Sequence, residues 1–166
     1  MNTVRQQLPD DMVHVRVIDF NTYALQHRQA YELKSRSVPF EEQLAIVADT
    51  DVLAGMHGSG LTHLLFLPRH AALFEIYNCG DTGCYSELAR IRGIHYVTWE
   101  DERMLFKDDG GYKHPSTGEA HAKFANYSLD PAEFVRLLKK AIRLVCQNRR
   151  LRSRKICRQM IMKDEL

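Results

Sequence analysis

The stretch Asp51-Val-Leu-Ala-Gly-Met-His-Gly-Ser-Gly-Leu-Thr-His-Leu-Leu-Phe-Leu-Pro68 constrains this chain more than any other. It reads as a short buried strand over Val52–Met56, a turn carrying Gly55, Gly58 and Gly60, and an apolar helix over residues 61–67 that Pro68 stops. A strand that feeds a glycine turn and then a helix aims unpaired backbone N–H groups at whatever lies above the turn. The helix dipole adds partial positive charge there, so the natural guest is a phosphate or another anion.

The flanking sequence supplies the sheet that such a turn needs. Residues 13–20 alternate apolar and polar side chains and read as a strand, followed by a helix or long connection over residues 23–34. Pro39 precedes a helix with Glu41 and Glu42 in its first turn and an apolar stripe of Phe40, Leu44 and Val47. Residues 71–77 form a second apolar run of strand length. Residues 84–92 have helical spacing closed by Gly93, and residues 95–99 form a third strand. Strand, helix, strand, helix, strand at these intervals predicts crossovers in a parallel sheet, an α/β domain of Rossmann type. Residues 100–127 break the rhythm. Asp130-Pro-Ala-Glu133 then starts a helix whose inward face is Phe134, Leu137, Leu138, Ala141, Ile142 and Val145. Beyond Asn148 fraying is expected. The reading is thus a partial Rossmann-like domain over residues 1–148, whose assignment to nucleotide-sugar binding comes only from the resemblance given below, and a basic tail over residues 149–166.

At 166 residues the chain suits one domain with a real core. From Arg136 to the end stand eleven Lys or Arg against Asp164 and Glu165. No aromatic residues interleave with them, so a solvated helix face fits better than a nucleic-acid surface, and no nucleic acid is expected as partner. No run of 18 apolar residues exists, so no transmembrane segment is expected. The first ten residues lack the apolar core of a signal peptide, yet the chain ends Lys163-Asp164-Glu165-Leu166. That end is the address read by the receptor that returns soluble proteins to the endoplasmic reticulum. Asn126-Tyr-Ser128 is an N-glycosylation acceptor that suits the same lumen. An address without an entry signal leads us to expect a C-terminal piece of a longer secretory protein, or a truncated product. In an oxidising lumen Cys79, Cys84, Cys146 and Cys157 permit two bridges in three pairings that sequence does not separate. Asp108 and Asp109 beside two glycines read as a turn, His114 and His121 as a solvated loop, and Trp99 as core or domain interface. No metal site with ligand spacing is seen.

Three chemistries use a glycine turn after a strand. A triphosphate loop fits the spacing of Gly55 and Gly60, but Leu61 stands where the Lys is needed, so ATP or GTP hydrolysis is not expected. A dinucleotide fingerprint fails because His63 replaces the third glycine. His57-Gly-Ser-Gly60 resembles an esterase oxyanion loop, but Ser86, Ser116, Ser128 and Ser153 lack the glycine-flanked setting of a nucleophile. A serine hydrolase is therefore an outside alternative. What remains is a turn that holds a diphosphate without cleaving it between its phosphates.

Glu42-Gln-Leu, the whole run Thr50 to Pro68, and Phe74-Glu-Ile-Tyr-Asn-Cys79 resemble glycosyltransferase family 61. The likeness runs through residues 38–148. Ser59 stands where the family usually carries Ala, and residues 21–37 are longer than the family pattern. Within the family, residues 84–99, Lys123-Phe-Ala-Asn-Tyr-Ser128 and the Lys-Asp-Glu-Leu end look like the luminal, protein-directed members. The resemblance implies a GT-B architecture, with this chain as its C-terminal, donor-binding half. It implies UDP-N-acetylglucosamine as donor, Ser or Thr of EGF-like domains as acceptor, and inversion at the anomeric carbon; a diphosphate site at a helix terminus requires no cofactor by itself, and the sequence leaves divalent-cation dependence open. It also implies that the catalytic base lies in the other domain, so none is assigned here. Gly58, Ser59, Gly60 and Leu61 would offer backbone N–H groups to the diphosphate, His57 would donate beside it, and Glu75 would accept from ribose hydroxyls. The alternative is a non-catalytic truncated fragment retained in the endoplasmic reticulum.

Overall fold

The computed structural model describes residues 13, 38–76, 83–107, 116–119 and 127–162. Expectations for the helix at 23–34, for nearly all of the strand at 13–20, for Asp108, Asp109, His114, His121 and Asn126, for Cys79 and for Lys163 to Leu166 lie outside these residues. Three strands form a parallel sheet in the order β1 (Val52–Met56), β2 (Ala72–Ile76) and β3 (His95–Thr98). The register sets Gly55 opposite Glu75 and Glu75 opposite Thr98. The alternation along β2 sorts its side chains onto two cores. Ala72, Phe74 and Ile76 face one, with Val97 and Trp99, while Leu73 faces the other. With both faces covered, every residue of this central strand is buried, which is why it reads as an apolar run that Glu75 alone interrupts.

One layer holds α1 (Phe40–Ala48), the connection after β1, and α2 (Cys84–Arg92), packed through Val47, Leu61, Leu64, Tyr85 and Ala89. Gly93 ends α2 at φ 74°, the left-handed cap read from the sequence. The expected stripe of α1 turns inward at Val47 but not at Phe40. Phe40 stays 56% exposed and meets Phe66 edge-on at 6.5 Å. The other layer is α3 (Pro131–Cys146) with α4 (Lys155–Met162). Asp130 caps α3 by accepting from the Glu133 amide at 2.8 Å. Trp99 lies in this core, stacked on Phe74, with its indole N–H donated to the Asp101 carbonyl at 2.8 Å.

Three expectations need correction. The segment after the glycine turn is a 3₁₀ helix over Ser59–Phe66, not an α-helix over 61–67. Its buried residues explain why: Leu61, Leu64 and Leu67 recur every three positions, the period at which a 3₁₀ helix eclipses side chains. Residues 100–127 are not all loop, since β4 (Leu105–Lys107) pairs antiparallel with β5 (Tyr127–Leu129). The described residues beyond Asn148 do not fray: Leu151, Cys157 and Met160 are buried, and a disulfide joins Cys146 to Cys157. That bond also answers one pairing that spacing left open.

Candidate functional site

The carboxyl ends of β1 and β2 meet at the glycine turn. Here the Gly58 carbonyl is held twice: the Leu61 amide donates to it at 2.9 Å and the Tyr85 hydroxyl at 2.5 Å. Tyr85 is itself buried, so this carbonyl points into the protein. In a planar trans peptide the N–H opposes the C=O, so the Ser59 N–H must point the other way, out of the turn. The i→i+3 ladder begins with the Leu61 donor, and the Ser59 and Gly60 amides come before it. Leu61 is therefore removed from the expected donor set, because its N–H closes the first turn and its side chain is core. Gly58 has an extended backbone, φ 165°, and a Cβ there would meet nothing closer than 3.9 Å. Gly55 is tighter: a Cβ would come within 3.1 Å of Leu61 Cδ2.

His57 and Glu75, two of the predicted site residues, are brought into direct contact. His57 Nδ1 and Glu75 Oε1 are hydrogen-bonded, and the Tyr96 hydroxyl donates to the other oxygen, Oε2, at 2.5 Å. Glu75 is 4% exposed, and it is the charged side chain buried among the described residues. A carboxylate in an apolar layer is tolerable only when its oxygens are paired, and these two donors accomplish that. The Tyr85 ring packs edge-on against the His57 ring at 5.0 Å. Glu75 thus lies beneath His57 with both oxygens engaged inside the protein, a different setting from the open strand end that a ribose contact requires.

Tyr85, Tyr96 and His63 belong to this site and were not singled out in the sequence. His63 is engaged through both ring nitrogens, with the Gly60 carbonyl at 3.0 Å and Gln43 Oε1 at 2.9 Å, which ties α1 to the first turn of the 3₁₀ helix. The signal for the tyrosines was present: each sits at a core-facing position, where a buried hydroxyl needs a polar partner. Their partners, 27 and 21 residues away, were not legible. Among the described residues no group of three His, Cys, Asp or Glu could hold a metal ion, and no helix is long and apolar enough to cross a membrane.

Comparison with known proteins bears on this arrangement. The family profile described as Glycosyltransferase 61 matches residues 11–74, which include β1, the turn and the 3₁₀ helix. The chain is 51% identical over 120 residues to the EGF domain-specific O-linked N-acetylglucosamine transferase of Bos taurus, covering 72% of this chain and 22% of that protein. The protein of the same name from Drosophila melanogaster is 50% identical over 134 residues, 81% of this chain and 24% of the relative. The chain belongs to glycosyltransferase family 61. The Mus musculus relative, again of that name, is 48% identical over 134 residues, 81% of this chain and 23% of its own length. The chain therefore spans under a quarter of the length of these family 61 relatives.

Proposed function

We propose that this chain supplies the donor-diphosphate site of a transferase that moves N-acetylglucosamine from UDP-N-acetylglucosamine to Ser or Thr of EGF-like domains. The observation that carries the reading is the pinned Gly58 carbonyl, which aims the Ser59 amide outward at the start of a helix, beside His57. Backbone donors fixed before a ligand arrives stabilise a leaving diphosphate without reorganising, which is what an inverting displacement by a hydroxyl needs. Identity with relatives named for that transfer supports the donor and acceptor classes. The parallel sheet is consistent with one half of a GT-B enzyme. The base that takes the acceptor proton is assigned to residues outside this chain, so the chain alone binds donor and does not turn it over. The Lys163 to Leu166 end and the Asn126 acceptor site support residence in the endoplasmic reticulum, with the receptor for that end and EGF-repeat proteins as partners.

Calorimetry with UDP-N-acetylglucosamine tests the reading. Saturable binding that Tyr85→Phe weakens is the expected result. Absence of binding, both to this chain and to a full-length protein that contains it, overturns the donor-site assignment.

A further inference from the structure

The Glu75 carboxylate is the buried charge for which the glycine turn alone offers no reason. It lies one strand over from Gly55, in the apolar layer under the 3₁₀ helix, and takes one hydrogen bond from β3 and one from the residue that enters the turn. The Tyr96 hydroxyl donates to Oε2, which leaves Oε1 to pair with the imidazole, and an Nδ1–H is the donor a carboxylate oxygen accepts from. The shared proton of the other contact then sits on His57 Nδ1. A histidine whose Nδ1–H is committed to a carboxylate has its ring orientation and tautomer fixed, and meets any ligand through Nε2.

We propose that Glu75 is a positioning residue that acts through His57, holding the ring so that Nε2 is the atom presented to the donor diphosphate. This deepens the donor-site reading and rests on it for its consequence in binding. It replaces the ribose contact expected for Glu75. A phosphate oxygen at Nε2 needs a proton there while Nδ1 keeps its own. The ring in the complex therefore carries a proton on each nitrogen. Among the described residues, the titratable groups that meet this ring include Glu75 from β2 and Tyr85 from α2, with Tyr96 from β3 behind the carboxylate. The imidazolium then stands between two anionic groups, the carboxylate below and the diphosphate above, and is attracted to both.

The ring nitrogens report the first half directly. In a ¹⁵N–¹H correlation spectrum of the ligand-free 166-residue chain, His57 is expected in the Nδ1–H form. Glu75→Leu is expected to return it to the Nε2–H form that free histidine prefers. Glu75→Gln keeps one acceptor oxygen and retains the Nδ1–H form, so the argument survives if the Leu variant does not fold. An unprotonated Nδ1 in the wild-type chain, or an unchanged tautomer in a folded Glu75→Leu chain, overturns the proposal whether or not nucleotide binds.

Binding reports the second half. The phosphates of UDP-N-acetylglucosamine do not titrate near neutral pH, so any proton exchange on binding that calorimetry reads in buffers of different ionisation heat is expected to come from the ring and to be lost in His57→Gln. Glu75→Gln is expected to weaken the donor roughly tenfold, the loss of one charge-assisted hydrogen bond. It should leave the preference for UDP over 2′,3′-dideoxy-UDP intact. Loss of that preference makes Glu75 a ribose ligand and overturns the positioning role. No binding by either the wild-type chain or a full-length protein that contains it defeats the donor-site reading instead, and the spectrum still decides the histidine.

Discussion

At the scale of single residues, the geometry of the glycine turn depends on side chains buried beneath it. Tyr85 is the clearest of them, since its hydroxyl both finds a partner for a buried polar group and aims a peptide. Tyr85→Phe leaves the ring packing against His57 in place and frees the Gly58 carbonyl to swing. A neutral hydrogen bond contributes about 1 kcal/mol net, so we expect roughly a fivefold loss of UDP-N-acetylglucosamine affinity by calorimetry. Gly55→Ala probes the other side of the turn. Its Cβ meets the tip of Leu61 at 3.1 Å, close enough to push the first turn of the 3₁₀ helix. A chemical-denaturation midpoint should report a cost of about 1 kcal/mol. The strand, the glycine turn and the helical segment after it were legible because they follow one another in sequence. Glu75 was legible as a residue at the right strand end, but not its direction. Whether a strand carboxylate faces a ligand or a neighbouring strand is decided by pairing register, which only the folded sheet supplies.

At the scale of elements, local signals and tertiary packing divided the outcome. β1, α2 with its glycine cap and the start of α3 carry their instructions within a few residues, and all three lie where the sequence put them. The 3₁₀ helix did not, although its period-three leucines were present, because a run this long is uncommon and an α-helix is the usual outcome. Leu64 is fully buried at its centre, and Leu64→Ala should cost about 2–5 kcal/mol in thermal or denaturant unfolding. The error at α4 has a different source. Charge along residues 149–158 suggests solvent, but Leu151, Cys157 and Met160 fall on one side and pack against α3. The disulfide closes a segment 11 residues apart, and loop-closure entropy places its contribution at about 3 kcal/mol. Reduction under native conditions, or a paired Cys146→Ser and Cys157→Ser variant, should lower the unfolding temperature by roughly 5–10 °C. No change in calorimetry would mean that α4 is held by its apolar face alone.

At the scale of the molecule, the sheet separates two cores, and the ionisable groups on the path between them link stability to pH. His95 opens β3, where burial disfavours its charged form and lowers its pKa from 6.5. Glu100, just past the same strand, has its pKa lowered from 4.5 by hydrogen bonds from Lys140 and Arg136 on α3. Both folded values lie below the unfolded ones, so between them the unfolded chain binds more protons and stability rises with pH. For His95 the stabilisation is present above pH 6.5 and is lost as pH falls through the lower folded value. For Glu100 it is present above pH 4.5 and is lost on further acidification. Glu100 is well exposed, so its share is small and screened by salt. The unfolding temperature should therefore decline in two stages as pH is lowered, the first below pH 6.5 and the second below pH 4.5. His95→Asn removes the first stage and leaves the second, because an amide at the start of β3 cannot take up the proton. Glu100→Gln blunts the second stage, and more so at low ionic strength than at high. A His95→Asn chain that still loses stability between pH 6.5 and 5 as steeply as the parent would show that burial at β3 is not the source of the first stage. That coupling would then belong to groups elsewhere in the chain.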